Sequence, residues 1–219
     1  MTPGVVIGVV IIGGGGHAKV IIESLRASGE TVAAIVDADP TPREVLGVPV
    51  IGDDLALPSL RERGFSKLFV AIGDNRLREK LGRKGRELGF TLVNAIHPSA
   101  IVSPTARLGE GVAVMAGVAI NADTQVGDLA IINTGAVVDH DCRLGVACHL
   151  GPASALAGGV TVGERAFLGV GARAIPGMTI GADTIIGAGG VVVRDLPDGV
   201  LAVGVPAQIR QTKIKGDRP

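Results

Sequence analysis

The stretch Val126-Gly127-Asp128-Leu129-Ala130-Ile131-Ile132-Asn133-Thr134-Gly135-Ala136-Val137-Val138-Asp139-His140-Asp141-Cys142-Arg143-Leu144 decides the fold. In it Val126, Ile132, Val138 and Leu144 stand six residues apart. The series runs back through Ile120, Val114, Leu108 and Val102 to Ile96. It runs on through Leu150, Leu156, Val162, Leu168, Ala174, Ile180 and Ile186 to Val192. Seventeen consecutive slots hold sixteen Ile, Leu or Val and one Ala. A period of six matches neither a helix nor a long strand, but it fits one short strand plus one turn per repeat.

The fourth residue after each aliphatic is usually small, as at Ala106, Ala130, Ala136, Cys142, Cys148, Ser154 and Ala166. Gly often follows the aliphatic directly, as at Gly109, Gly127, Gly145, Gly163, Gly181 and Gly187. Three hexapeptides closing one coil of 18 residues make a three-sided prism. The aliphatic points inward and stacks on its equivalent one coil away. The second inward position is small because three faces meet around a narrow axis. We expect glycine to relieve backbone strain at the corners. Seventeen hexads give between five and six coils, or roughly 27 Å at the ~4.8 Å spacing of paired strands.

Residues 1–94 lack this period. Apolar strands are expected at Val5–Ile12, Thr31–Val36, Lys67–Ile72 and Thr91–Ala95, with a short one at Val48–Ile51. Helices are expected at His17–Ser28, Leu57–Arg63 and Asn75–Leu88. Strands alternating with helices imply a small parallel sheet of Rossmann-like α/β type. The domain reading is therefore 1–94 for the α/β part, 95–197 for the prism and 198–219 for a capping segment and polar tail, whose end from Lys213 is expected to fray.

Composition removes several classes of function. The 219 residues carry 21 basic and 21 acidic side chains, so a dedicated nucleic-acid binder is not expected. Aromatic content is 2%, without Trp or Tyr, which argues against base-stacking platforms and aromatic cages. At 47% hydrophobic and 19% charged, the chain is not disordered. The run Val5–Ile12 is too short to span a bilayer and lacks a basic flank, so no membrane role is expected. Cys142 and Cys148 are too few for a disulfide scaffold and read as buried filler, and the expected compartment is the cytoplasm. Only His17, His97, His140 and His149 are present, with no pair at metal-ligand spacing, so no metal is expected.

Two motifs carry chemistry. In the first, Gly13-Gly14-Gly15-Gly16-His17-Ala18-Lys19 joins an apolar strand to a helix. Backbone amides and a helix N-terminus converge there on a place no side chain obstructs, which suits an anion. Asp37, ending the second strand, sits where a ribose or base is read. The part is too small for a full dinucleotide fold, so a nucleotide-sugar fits better than NAD. Gly13, Gly14, Gly15, Gly16, His17, Asp37 and Gly73 are thus the substrate-binding candidates of this part. In the second motif, Asp139-His140-Asp141, the imidazole lies two residues past a core aliphatic, on the outside of the prism. A neutral imidazole there is a general base. One flanking carboxylate would orient it, and spacing alone leaves open which. His149, half a coil on, lies across the prism from His140 and can meet it only through a neighbouring subunit.

These pieces, with Gly204-Val205-Pro206-Ala207 near the end, resemble the bacterial sugar O/N-acyltransferase family. That family includes sialic acid O-acetyltransferases and bacillosamine-type N-acetyltransferases. The resemblance covers nearly the whole chain and implies a left-handed parallel β-helix. It implies a homotrimer with active sites between subunits, and acetyl-CoA as co-substrate in the groove between neighbours. It carries over His140 as general base and Asp141 as the carboxylate raising its basicity. His149, Val170 and Ala188 fall on positions lining the coenzyme A groove, and Asn133 on one facing the amino-sugar. Relatives often carry Glu where this chain has Asp139 and Asp141. The implied activity is acetylation of the 4-amino group of a nucleotide-linked 4-amino-4,6-dideoxy sugar, with GDP-perosamine as the acceptor it most resembles. O-acetylation of a sugar or sialic acid is the enzymatic alternative, and a non-catalytic nucleotide-sugar binder the other.

Overall fold

A computed structural model describes residues 8–212, with side chains to Arg210. The beginning of the first expected strand, at Val5, and the tail from Lys213 lie outside the described residues. The chain divides into two units, one ending at Pro98 and one starting at Ser99.

The first unit is an α/β sheet. Strand β1 (Val9–Ile12) leads through the glycine turn into α1 (Gly16–Ala27). Then come β2 (Val32–Val36), α2 (Leu57–Glu62), β3 (Lys67–Val70), α3 (Asn75–Glu87) and β4 (Thr91–Leu92). The four strands are parallel in the order β2-β1-β3-β4. β1 is buried throughout, as an apolar run in a covered parallel sheet must be. α1 turns Ala18, Ile21, Ile22 and Leu25 inward. α3 starts where the Asp74 carboxylate accepts the Leu77 amide at 2.7 Å. The expected strand at Val48–Ile51 is instead one arm of a two-residue hairpin, Glu44–Val45 with Val48–Pro49.

The second unit is the parallel β-helix that the hexads imply, left-handed as the family resemblance implies. Each repeat contributes a two-residue strand, and strands 18 residues apart pair in parallel. The first face stacks Ile101–Val102, Ala119–Ile120, Val137–Val138, Ala155–Leu156, Arg173–Ala174 and Val191–Val192. The second stacks Arg107–Leu108, Gln125–Val126, Arg143–Leu144, Thr161–Val162 and Thr179–Ile180. The third includes Ala113–Val114, Ile131–Ile132, His149–Leu150, Phe167–Leu168 and Ile185–Ile186. From Val114 to Val192 every aliphatic of the series is buried. Each such side chain contributes about 1.5–3 kcal/mol. From Val112 to Ala172 the small inward positions are equally buried. Where they are polar they mostly find a partner: Thr124 donates to the Asp139 carbonyl, and Thr184 to that of Pro197. Val200–Val203 continues the third face, and Gln208–Thr212 folds back on it antiparallel.

The role expected for glycine needs correcting. Residues with positive φ also recur every six positions: Gly111, Gly117, Asp123, Leu129, Gly135, Asp141, Ala147, Ala153, Gly159, Arg165, Gly171, Gly177, Asp183 and Gly189. These are the left-handed corners, three residues after each aliphatic, and half of them are not glycine. The glycines that directly follow the aliphatic do something else. A Cβ on Gly145 would lie 2.5 Å from the Glu164 nitrogen, and one on Gly163 2.4 Å from that of Ala182. They are there because successive coils approach each other too closely for a side chain.

Candidate active site

His140 occupies the corner joining the first face to the second, directly after Val137–Val138. Its backbone is held on every side. The Asp139 amide donates to the Leu156 carbonyl at 3.0 Å and the Asp141 amide to that of Ala122 at 3.0 Å. The His140 carbonyl accepts the Gly159 amide at 2.9 Å. Asp141 is a left-handed corner with φ +60°. In an extended strand neighbouring side chains point to opposite sides. The corner breaks that alternation, so the Asp141 carboxylate reaches the imidazole, Oδ2 to Nδ1 at 2.7 Å. This bond assigns the proton of neutral His140 to Nδ1 and leaves Nε2 as the acceptor.

Asp139 acts on the backbone instead. Its Oδ1 accepts the His140 amide at 2.8 Å and the Asn121 side-chain amide at 2.9 Å, from exactly one coil earlier. The Asn121 hydrogen bond, then the His140 amide, hold the Asp139 carboxyl below the usual carboxylate range. The Asp141 hydrogen bond, helped by the negative charge of Asp139, raises His140 above the ordinary histidine value. A neutral base of raised basicity results, poised for proton abstraction.

Two residues of this site escaped the sequence reading. One is Asn121. The other is Gly158, one coil beyond His140: a Cβ there would lie 2.6 Å from both Cε1 and Nε2 of the imidazole. The ring therefore lies over a bare backbone. The signal for both was the 18-residue coil, applied to Asp139 and His140.

His149 lies on the third face, away from the His140 corner, so one chain does not bring the two together. Its Nε2 is 3.2 Å from Nδ2 of Asn133, and its ring meets Phe167 edge-on at 5.1 Å between centroids. The Asn133 oxygen already accepts the Thr134 amide at 2.8 Å, so the Asn133 nitrogen is the donor and His149 Nε2 the acceptor. Val170 and Ala188 are exposed, one coil apart, at the corner that follows this face. Cys142 and Cys148 are buried free thiols. Burial, the largest effect, raises the Cys142 thiol, which donates to the Ala157 carbonyl at 3.3 Å.

In the first unit the glycine turn is open where a ligand needs it. Gly13 has φ +101° and packs on Ala71 and Ile72, whereas nothing lies within 4 Å of a Cβ on Gly15, Gly16 or Gly73. α1 begins with no side-chain cap and no acidic residue in its first turn. Its leading amides thus face outward with the positive end of the helix dipole. Asp37 braces the turn: its carboxylate accepts the Gly14 and Asp39 amides and pairs with Arg43 at 3.1 Å. Burial alone would raise its pKa, but these donors outweigh burial and lower it. His17 is pushed down to about 4, first by burial and then by the Arg78 charge, so it is neutral at pH 7. Its Nε2 is buried without a hydrogen-bond partner. Lys19 is exposed on the helix. Among the described residues no group of three or more His, Cys, Asp or Glu is placed to hold a metal, and no helix is long and apolar enough to cross a membrane.

Residues 8–84 match the PglD N-terminal domain family. A crystal structure from Caulobacter crescentus, in complex with CoA and GDP-perosamine, is 83% identical; it covers 94% of this chain and 98% of that one, with a TM-score of 0.92. This chain belongs to the sugar N-acyltransferase family. Two further structures, of His→Ala and His→Asn mutants of the Caulobacter crescentus GDP-perosamine N-acetyltransferase, also hold CoA and GDP-perosamine. The acetyltransferase domain of PglB from Neisseria gonorrhoeae, in complex with acetyl coenzyme A, is 42% identical, covers 92% of this chain and 98% of that one, and has a TM-score of 0.86. UDP-N-acetylbacillosamine N-acetyltransferase of Bacillus subtilis is 43% identical over 113 residues, 49% of this chain and 51% of that protein. The match thus spans about half the length of that curated relative. As a member of the family, the chain is an acyltransferase.

Proposed function

We propose that this protein transfers the acetyl group of acetyl-CoA to the 4-amino group of GDP-perosamine, with His140 as general base. The observation that carries the reading is the His140–Asp141 pair at 2.7 Å over Gly158, in a chain 83% identical to an enzyme solved with CoA and GDP-perosamine. The neutral amine attacks the thioester carbonyl carbon and the C–S bond breaks. The amine proton passes to Nε2 of His140 and from there to the departing thiolate, giving the N-acetyl sugar and free CoA. Asp141 stabilises the imidazolium that forms in between. The Gly158 amide, which has no protein acceptor among the described residues, is a donor for the developing oxyanion.

The diphosphate of the nucleotide lies against the amides of Gly13–Gly16 and the start of α1, with His17, Asp37 and Gly73 around it. Asn133 faces the sugar, and His149, Val170 and Ala188 line the coenzyme A groove. The domain reading stays as drawn, with 1–94 for the nucleotide-sugar, 95–197 for catalysis and 198–219 for the cap. The working unit is a homotrimer in the cytoplasm. The His140 side chain is 60% exposed in one chain, so a second subunit is needed to exclude water from it. The exposed apolar side chains of Ile101, Val137 and Val170 supply surface for such contact.

The test is thiol release from acetyl-CoA against GDP-, UDP- and dTDP-linked 4-amino-4,6-dideoxy sugars. Fast release with GDP-perosamine and an alkali-stable product are expected. An alkali-labile ester with another acceptor would assign O-acetylation. Silence with every acceptor tried, amine or hydroxyl, would leave a non-catalytic nucleotide-sugar binder.

A further inference from the structure

The backbone ladder of the prism misses one peptide at the His140 corner. The amides of Asp139 and Asp141 and the His140 carbonyl all bond to neighbouring coils. The peptide joining Asp139 to His140 does not. Among the described residues, neither the Asp139 carbonyl nor the His140 amide has a backbone partner. Side chains hold this peptide instead. The Thr124 hydroxyl donates to the Asp139 carbonyl at 2.9 Å. The His140 amide donates to Oδ1 of Asp139 at 2.8 Å, and the Asn121 side-chain amide donates to the same oxygen at 2.9 Å. Both ends of one peptide are thus fixed from the preceding coil, by Thr124 directly and by Asn121 through the Asp139 carboxylate.

The two residues differ in setting. Thr124 is fully buried, whereas Asn121 is exposed. A hydrogen bond between exposed side chains adds little to stability, because water can replace either partner. Folding alone therefore gives little reason for the Asn121 bond. One coil further on, the matching peptide joins Ala157 to Gly158. Cys142 stands there in place of Thr124, and its thiol, a weaker donor, lies 3.3 Å from the Ala157 carbonyl. Ala157 stands in place of Asp139, so no carboxylate of that residue covers the Gly158 amide. The double clamp coincides with the coil that carries the histidine.

The clamp controls the direction in which the imidazole leaves the backbone. The ring is exposed, and it rests on its bond to Asp141 and on the bare backbone at Gly158. Rotation of the 139–140 peptide would carry Nε2 away from the amine, and a misplacement of about 1 Å at a reacting group can cost about 10²-fold. We propose that Asn121 and Thr124 are positioning residues for acetyl transfer: they lock the Asp139–His140 peptide and so aim Nε2 of His140 at the acceptor amine. The proposal rests on the reading of His140 as general base.

The experiment measures kcat and KM with acetyl-CoA and GDP-perosamine for Asn121→Ala, Thr124→Val and Thr124→Ser, and for Asn121→Ala combined with His140→Asn. Asn121→Ala and Thr124→Val are each expected to lower kcat about 10-fold with both KM values unchanged. Thr124→Ser, which restores the hydroxyl, recovers most of that loss. Melting curves show Asn121→Ala folded as the wild type is, so this surface variant decides the matter even where Thr124→Val does not fold. In the His140→Asn background Asn121→Ala has no further effect, because no base is left to aim. An Asn121→Ala protein with the wild-type kcat overturns the proposal. So does an equal fall in both backgrounds, which would be general damage to the corner, and so does a change confined to KM. Failure of the general-base reading looks different, because His140→Asn alone then keeps the wild-type rate.

Discussion

Glycine does opposite work in the two halves of this chain. At Gly15 and Gly16 it leaves space: nothing of the protein lies within 4 Å of where a side chain would begin. At Gly145 and Gly163 it leaves none, because the next coil's backbone already fills the position. Gly158 belongs to neither class, since the group occupying its side-chain space is the imidazole of His140. The difference teaches that a glycine-rich sequence is read by what replaces the missing Cβ. Open space points to a ligand, backbone to packing, and a reactive side chain to catalysis.

Each class predicts its own result on substitution by alanine. Gly158→Ala has the largest effect. The new methyl displaces the imidazole, and kcat falls at least about 10²-fold, the lower range of general-base catalysis, while the fold persists. Steady-state kinetics with a melting curve check it, and a folded, fully active variant breaks the third class. Gly163→Ala meets backbone 2.4 Å away, and costs about 3 kcal/mol of stability in denaturant titration. Gly15→Ala leaves stability within about 0.5 kcal/mol, as at an exposed site, but raises KM for the nucleotide-sugar. A change in stability without a change in KM would move Gly15 into the packing class.

The first unit also has a pH response of its own. His17 titrates at about 4 when folded against 6.5 when free. A lowered histidine pKa means that the unfolded chain takes up the proton first. The stability it represents is full above pH 6.5 and is lost as pH falls toward 4, up to about 3 kcal/mol. His17→Gln removes that part of the acid dependence, as melting curves from pH 7 to 4 would show.

The prism was legible because its period is exact: Val114 to Val192 repeat without a gap, and each of those side chains is buried. The sheet of the first unit was legible from its apolar runs, with ends displaced by up to three residues, as where the strand expected at Thr91–Ala95 stops at Leu92. The hairpin at 44–49 was missed because a single pair of two-residue strands, unlike those of the prism, does not repeat along the sequence. At the site, His140 was legible as a base only through its place on the outside of an acyltransferase-like prism, since the same histidine in an isolated polar turn reads as a solvated surface residue. The pairing with Asp141 was not readable from adjacency, since neighbouring side chains in a strand diverge. It becomes readable once the corner is seen to be left-handed, and the glycines at 135, 159 and 171 carry that signal in the sequence. Asn121 and Gly158 needed one further step, the 18-residue coil applied to a polar side chain rather than to the core.

The most direct test of the account is the pH profile of kcat/KM for acetyl transfer to GDP-perosamine, in the wild-type protein and in His140→Asn and Asp141→Asn. The account predicts an acid limb above the ordinary histidine value in the wild type, because the base works only when neutral and Asp141 raises its pKa. The limb moves to lower pH in Asp141→Asn. In His140→Asn it disappears, along with about 10²–10⁴-fold of the rate. A wild-type limb left in place by both substitutions would contradict the assignment of His140 as the base.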